Sequence, residues 1–147
     1  LAMLGEEKAI HDHPLYGTLR QYRLQEDFLF SDRELDKICG QLFMHCQQNQ
    51  MAAQYLLMLP LMDKDIPRFI QYAQYVQSKV QYNPRHCQEA IAFAFMQQHQ
   101  QPPQGIVSPM VLQRMNDFMR IYSSGGKDAA GLQQFGNTVW YYLIGGK

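Results

Sequence analysis

Leu35-Asp36-Lys37-Ile38-Cys39-Gly40-Gln41-Leu42-Phe43-Met44-His45-Cys46 carries the clearest helical pattern in the chain. Its apolar members Leu35, Ile38, Cys39, Leu42, Phe43 and Cys46 recur in alternating steps of three and four, which puts all of them on one face of a helix. Ser31-Asp32-Arg33-Glu34 stands before it as a capping box, with Ser31 taking a backbone N–H and Glu34 reaching back. Gly40 costs the helix about 1 kcal/mol relative to Ala, so it either admits a close neighbour or marks a tolerated weakness. A lone helix of this length is marginal in water, whereas burying an apolar face gains about 25 cal/mol per Å². The stripe therefore predicts helix-on-helix packing.

The same rhythm recurs along the chain on either side of this helix. Upstream, Leu1 to Ile10 reads as the tail of a helix, His11-Asp12-His13-Pro14 interrupts it, and Pro14 opens a second helix whose Leu15, Leu19 and Tyr22 share a face. Downstream, the polar run Gln47 to Gln50 separates the Leu35 helix from one in which Ala52, Tyr55, Leu56, Leu59 and Met62 line up. After the turn Asp63-Lys64-Asp65, Asp65 caps a helix with Pro67 just inside it and with Ile66, Phe69, Ile70, Ala73, Val76 and Val80 along its face. Asn83-Pro84 introduces a helix carrying Cys87, Ala90, Ile91, Ala94, Phe95 and Gln98. Ser108-Pro109 introduces another, with Val111, Leu112, Met115, Phe118, Met119 and Tyr122, closed by Gly125. Pro102-Pro103 and Gly105 make Gln100 to Val107 a loop, and Thr138 to Ile144 reads as a short terminal helix that covers the end of the stack.

Successive helices joined by short turns pack antiparallel, so the expected fold is all-α: helical hairpins stacked as a short repeat-like, TPR-like array. The starts at Met51 and Pro84 lie roughly 33 residues apart, close to the tetratricopeptide period of ~34, but that family's Trp, Gly, Tyr and Ala positions are not filled in register. His45-Cys46-Gln47 and His86-Cys87-Gln88 are out of structural phase, one ending a stripe and the other beginning one, and do not mark a repeat.

A length of 147 residues with 46% hydrophobic content suits one core, and residues 1–147 are expected to form a single helical domain. Thirteen basic residues balance thirteen acidic ones, so no net field draws the chain to nucleic acid. The apolar run Met51 to Met62 contains Gln54 and Pro60 and falls short of the ~20 residues that span a bilayer. The chain opens on Leu1 without the order of a signal peptide, and is read as a piece of something longer. Cys39, Cys46 and Cys87 each fall on an apolar stripe and are read as buried core residues rather than bridges or nucleophiles.

Chemistry-bearing constellations are sparse. His86 and Glu89, three apart at a helix start, could share a face toward a metal, but no second pair accompanies them and a solvated helix-start pair is the reading adopted. His11 and His13 read as a pre-helix segment rather than a chelate. The neighbours His45-Cys46 and His86-Cys87 point about 100° apart on a helix, so adjacency does not make a nucleophile and base. No phosphate loop, nucleophile elbow or zinc-ligand cysteine pair is present. Neither catalytic residue, metal ligand nor cofactor is expected. Gln71-Tyr72-Ala73-Gln74-Tyr75 and Gln81-Tyr82 read as a polar outer face.

Met51 to Leu57, the Asp63-Lys64-Asp65 turn, Pro84 to Ala90 and Asn137-Thr138-Val139-Trp140-Tyr141-Tyr142 occur in an order that resembles the C-terminal soluble region of a family of uncharacterised bacterial multi-pass membrane proteins. That resemblance covers most of Met51 to Tyr142 and brings no catalytic residue, ligand or cofactor. It implies a membrane-embedded portion before Leu1 and a soluble helical domain of an inner-membrane protein, with the extracytoplasmic side favoured. The expected function is a non-catalytic scaffold that binds a protein or peptide in a groove between hairpins. The alternatives are a structural tail that orders the membrane part, or a domain lending His86, Glu89 or His45 to an active site completed elsewhere.

Overall fold

Residues 7–24, 32–124 and 129–145 are described by the computed structural model, and among them every regular element is helical. In chain order these are α1 (Glu7–Asp12), α2 (Pro14–Gln21), α3 (Leu35–His45), α4 (Gln50–Met62), α5 (Ile66–Lys79), α6 (Arg85–Gln97), α7 (Pro109–Ser123), α8 (Ala129–Gln133) and α9 (Val139–Gly145). Two compact units result, Leu1–Leu59 and Pro60–Lys147, with the boundary falling inside α4 at Pro60. Ser31 and Gly125, to which the sequence assigns caps, lie outside the described residues.

Helix starts follow the local chemistry. His13 caps α2, its Nδ1 accepting the N–H groups of Leu15 and Tyr16 at 3.2 and 3.3 Å, with Pro14 in the first turn. Asn49 caps α4 through its Oδ1 and the Ala52 N–H at 3.1 Å. Asp65 Oδ1 accepts from Arg68 N–H at 3.0 Å, and Ser108 Oγ from Val111 N–H at 3.4 Å. Before α3 the chain makes a 3-10 turn, Asp32–Glu34, and Glu34 gives no cap bond, pairing instead with Lys37.

Two helices end alike. After α6, His99 takes the left-handed conformation (φ 54°), its N–H donates to Met96 O, and the Gln100 N–H reaches back to Phe95 O at 2.9 Å. After α4, Lys64 (φ 59°) and Asp65 repeat both bonds with Leu61 O and Pro60 O. These are Schellman closures without the usual glycine.

In the first unit, Phe43 of α3 is wholly buried, and α4 contributes Ala52, Ala53, Leu56 and Leu57. The α4 face differs from the expected one: Tyr55 and Met62 are exposed, because steps of one and four, not the three-four rhythm through Tyr55, run along the buried side. The α2 stripe is likewise open, with Leu15 59% and Leu19 50% exposed, since α2 pairs with the short α1 and buries none of its own residues. A Cβ on Gly40 would stand 3.8 Å from Leu56 Cδ1, an ordinary contact, so no close approach demands the glycine.

The second unit is organised around α6, which packs against α5, α7 and α9. Cys87 through Ala94 is buried apart from Gln88, so this helix lies inside rather than presenting one face. Neighbouring helices bring Phe69, Ala73 and Val76 from α5 and Val111, Met115 and Phe118 from α7. Trp140 of α9 is fully buried with its ring 6.3 Å from that of Phe118, and the Phe135 ring meets Phe118 edge-on at 5.4 Å.

Phe95, on the expected stripe, is only half-buried, while Phe93 is buried. Phe43→Ala and Phe93→Ala should each cost about 3 to 5 kcal/mol in denaturant unfolding, with Tyr55→Ala below about 1 kcal/mol. Equal losses at Phe93 and Tyr55 would contradict these faces.

Candidate functional site

The second unit holds an open groove of about 880 Å³ between α6 and α7, roofed by the 98–108 loop. The Schellman turn at His99 directs the chain away from α6, Pro102-Pro103 stiffens it, and Gly105 (φ 84°) bends it back toward Ser108.

Two amides fasten this loop. Asn83 Nδ2 donates to Ile106 O at 2.6 Å, while Asn83 Oδ1 accepts from Gln77 Nε2 of α5 at 3.5 Å. Gln88 of α6 donates through Nε2 to Asn83 O at 3.0 Å and accepts through Oε1 the N–H of Ser108 at 2.9 Å. Both ties hold the C-terminal end of the roof, at Ile106 and Ser108, to the start of α6 and the turn before it.

Met96, Leu112 and Met115 give the groove an apolar floor, and Gln100, Gln101, Gln104 and Asn116 give it an exposed amide rim. No Asp, Glu, Lys or Arg lines it among the described residues. Sequence reading treats Gln100 to Val107 as a connecting loop and misses the groove. Asn83 and Gln88, far from the loop in sequence, were the only signal, and their partners are set by tertiary packing.

Glu89 is not the solvated helix-start residue that its spacing from His86 suggests. It is 2% exposed. Its Oε1 accepts from Arg85 Nε at 2.7 Å, and its Oε2 accepts the N–H of Val139, the first residue of α9, at 2.9 Å. Both oxygens are thus engaged, Oε1 within α6 and Oε2 holding the start of the terminal helix against it. At the other end of α9, the Tyr142 hydroxyl donates to Met62 O at 2.7 Å and Lys64 Nζ lies 5.0 Å over the Tyr142 ring.

His86 is half-buried with an unpartnered, shielded Nε2, and burial lowers its pKa while the nearby Glu89 charge works in the opposite direction. The Cys87 thiol is pushed up to about 12 by burial, and burial followed by the Asp36 charge raises Cys39. Thiols so placed are poor nucleophiles. Cys46 is half-buried with Sγ 3.4 Å from Gln48 Oε1. His45 stands exposed on the last turn of α3, in the first unit. His11 faces Asp12 on the surface, and His13 serves as a cap. No group of three or more His, Cys, Asp or Glu is arranged to hold a metal among the described residues.

In the first unit a smaller groove of about 620 Å³ lies among Leu19, Tyr22, Leu42 and Met51, with Arg23 at its edge. Among the described residues no helix is long and apolar enough to cross a membrane.

A family model described as a family of unknown function, DUF6057, matches residues 1–146. The chain belongs to this family. No curated protein and no solved structure matches the DUF6057 chain.

The buried Glu89 bridge yields a measurable cost: Glu89→Ala should lose about 1 to 3 kcal/mol of stability, chiefly because it strands the Val139 N–H, since Arg85, 49% exposed, is solvated once freed. Amide exchange in 139–145 should accelerate with it, and unchanged exchange there would refute the bridge. For His86 the folded state binds a proton less readily than the unfolded chain, so stability is complete above the ordinary value of 6.5 and declines as pH falls below it. Denaturant unfolding at pH 7.5 and 5.5 should show a larger acid loss for the wild type than for His86→Gln; equal losses would place the sensitivity elsewhere.

Proposed function

We propose that this chain is a non-catalytic helical scaffold that binds a protein or peptide segment in the α6–α7 groove, as an appended domain of a membrane protein. The carrying observation is the groove itself. Its roof is fixed in advance by Asn83 and Gln88, so a ligand meets a formed surface and little ordering entropy opposes binding.

The hairpin-repeat geometry belongs to the same proposal. Its support is that α5, α6 and α7 pack on one another in chain order, as successive members of a stack do. The occupied carboxylate of Glu89 and the raised thiol of Cys87 favour binding over bond-making. The membrane attachment rests on the resemblance carried by Met51 to Tyr142.

Photo-crosslinking in the cell tests the reading, with the reactive side chain at Gln104 on the groove rim or at Gln74 on the exposed side of α5. A discrete product from Gln104 that disappears with Leu112→Lys, none from Gln74, and sedimentation of the native full-length protein with membranes are expected. Equal labelling from both positions, or none, would overturn the binding role. Recovery in the soluble fraction would overturn the attachment.

A further inference from the structure

We propose that the α6–α7 groove selects an extended, uncharged segment of a partner polypeptide, seating an aliphatic side chain on the Met96, Leu112 and Met115 floor. This rests on the reading of the groove as a peptide site, and adds what it accepts and rejects.

The first ground is charge. Asp, Glu, Lys and Arg make up 18% of the chain, yet none of them lines a groove of about 880 Å³ among the described residues. An ionised side chain entering it would lose hydration and meet no Asp, Glu, Lys or Arg to pair with, which is costly, whereas an uncharged segment gives up little. Electrostatic match thus runs toward neutrality.

The second ground is the rim. Asn83 and Gln88 spend their amides on the roof, but those of Gln100, Gln101, Gln104 and Asn116 are exposed and make no hydrogen bond among the described residues. A primary amide offers two donors and one accepting oxygen, the complement of a peptide group. Such pairing is useful only to a backbone with open N–H and C=O groups. A helix satisfies its own, so the occupant is extended. No Phe, Tyr or Trp ring lines the groove among the described residues, so it lacks the aromatic slots on which a polyproline ligand docks.

The third ground is the floor. Methionine is unbranched and adapts its shape, so Met96 and Met115 beside Leu112 accept Leu, Ile, Val or Met without demanding one of them. Selectivity should be strict against charge and loose among aliphatic residues.

The probe is a displayed library of random short peptides selected on the full chain, followed by binding of synthetic copies of the enriched peptides. The expected core lacks Asp, Glu, Lys and Arg and carries one aliphatic residue, and replacing that residue by Lys or Glu weakens binding about tenfold or more. Asn116→Lys, an exposed change that leaves the core alone, should shift the selection toward Asp- and Glu-bearing peptides. Enriched peptides that bind in competition with one another, are lost with Leu112→Lys, and tolerate a charged core equally well would overturn this specificity while leaving the peptide site standing. Selection of no peptide sensitive to either Leu112→Lys or Asn116→Lys would overturn both.

Discussion

A carboxylate buried inside a helical unit needs both its oxygens satisfied, and Glu89 meets that demand by joining its own helix to the terminal one. The Arg85 guanidinium takes one oxygen and the Val139 N–H takes the other. Because α6 also packs against α5 and α7, this arrangement places a single helix where three others meet. Small residues make that possible: Ala90, Ala92 and Ala94 alternate with Ile91 and Phe93, so close neighbours can approach without leaving voids. Everything the second unit displays, including the groove, is mounted on that helix.

What was legible in the sequence was mainly local. Asp65, Ser108-Pro109 and Pro14 announce helix starts because a start needs only a side chain and the two or three residues after it, although His13 as the cap of α2 emerges only from the structure. The Pro102-Pro103 and Gly105 loop is equally local, as is the short terminal helix at 139–145. Burial is not. The α4 stripe through Tyr55 and Met62 satisfies helical spacing as well as the true face does, and only the neighbours decide between them. Leu15 and Leu19 show the converse, an apolar face with regular spacing that α1 is too short to cover.

The candidate site was hidden for the same reason. A Glu three residues after a His at a helix start has the composition of a solvated pair, and its burial depends on Val139, fifty positions further on. Likewise, Asn83 reads as the residue before a proline, yet its amide fixes Ile106 across the fold. Once these contacts exist, chemistry-bearing residues are largely committed to structure: Glu89 to a bridge, Cys87 to the core and His13 to a cap. What lines the α6–α7 groove among the described residues is mainly apolar side chains and amides, without Asp, Glu, Lys or Arg.

Native-state amide hydrogen exchange resolved along the chain measures the hub role of α6 most directly. The account predicts that amides of 87–94 are the slowest to exchange in the second unit and far slower than those of α2, whose face is open. Exchange of 87–94 as fast as that of 14–21 would contradict a fold built around a buried central helix.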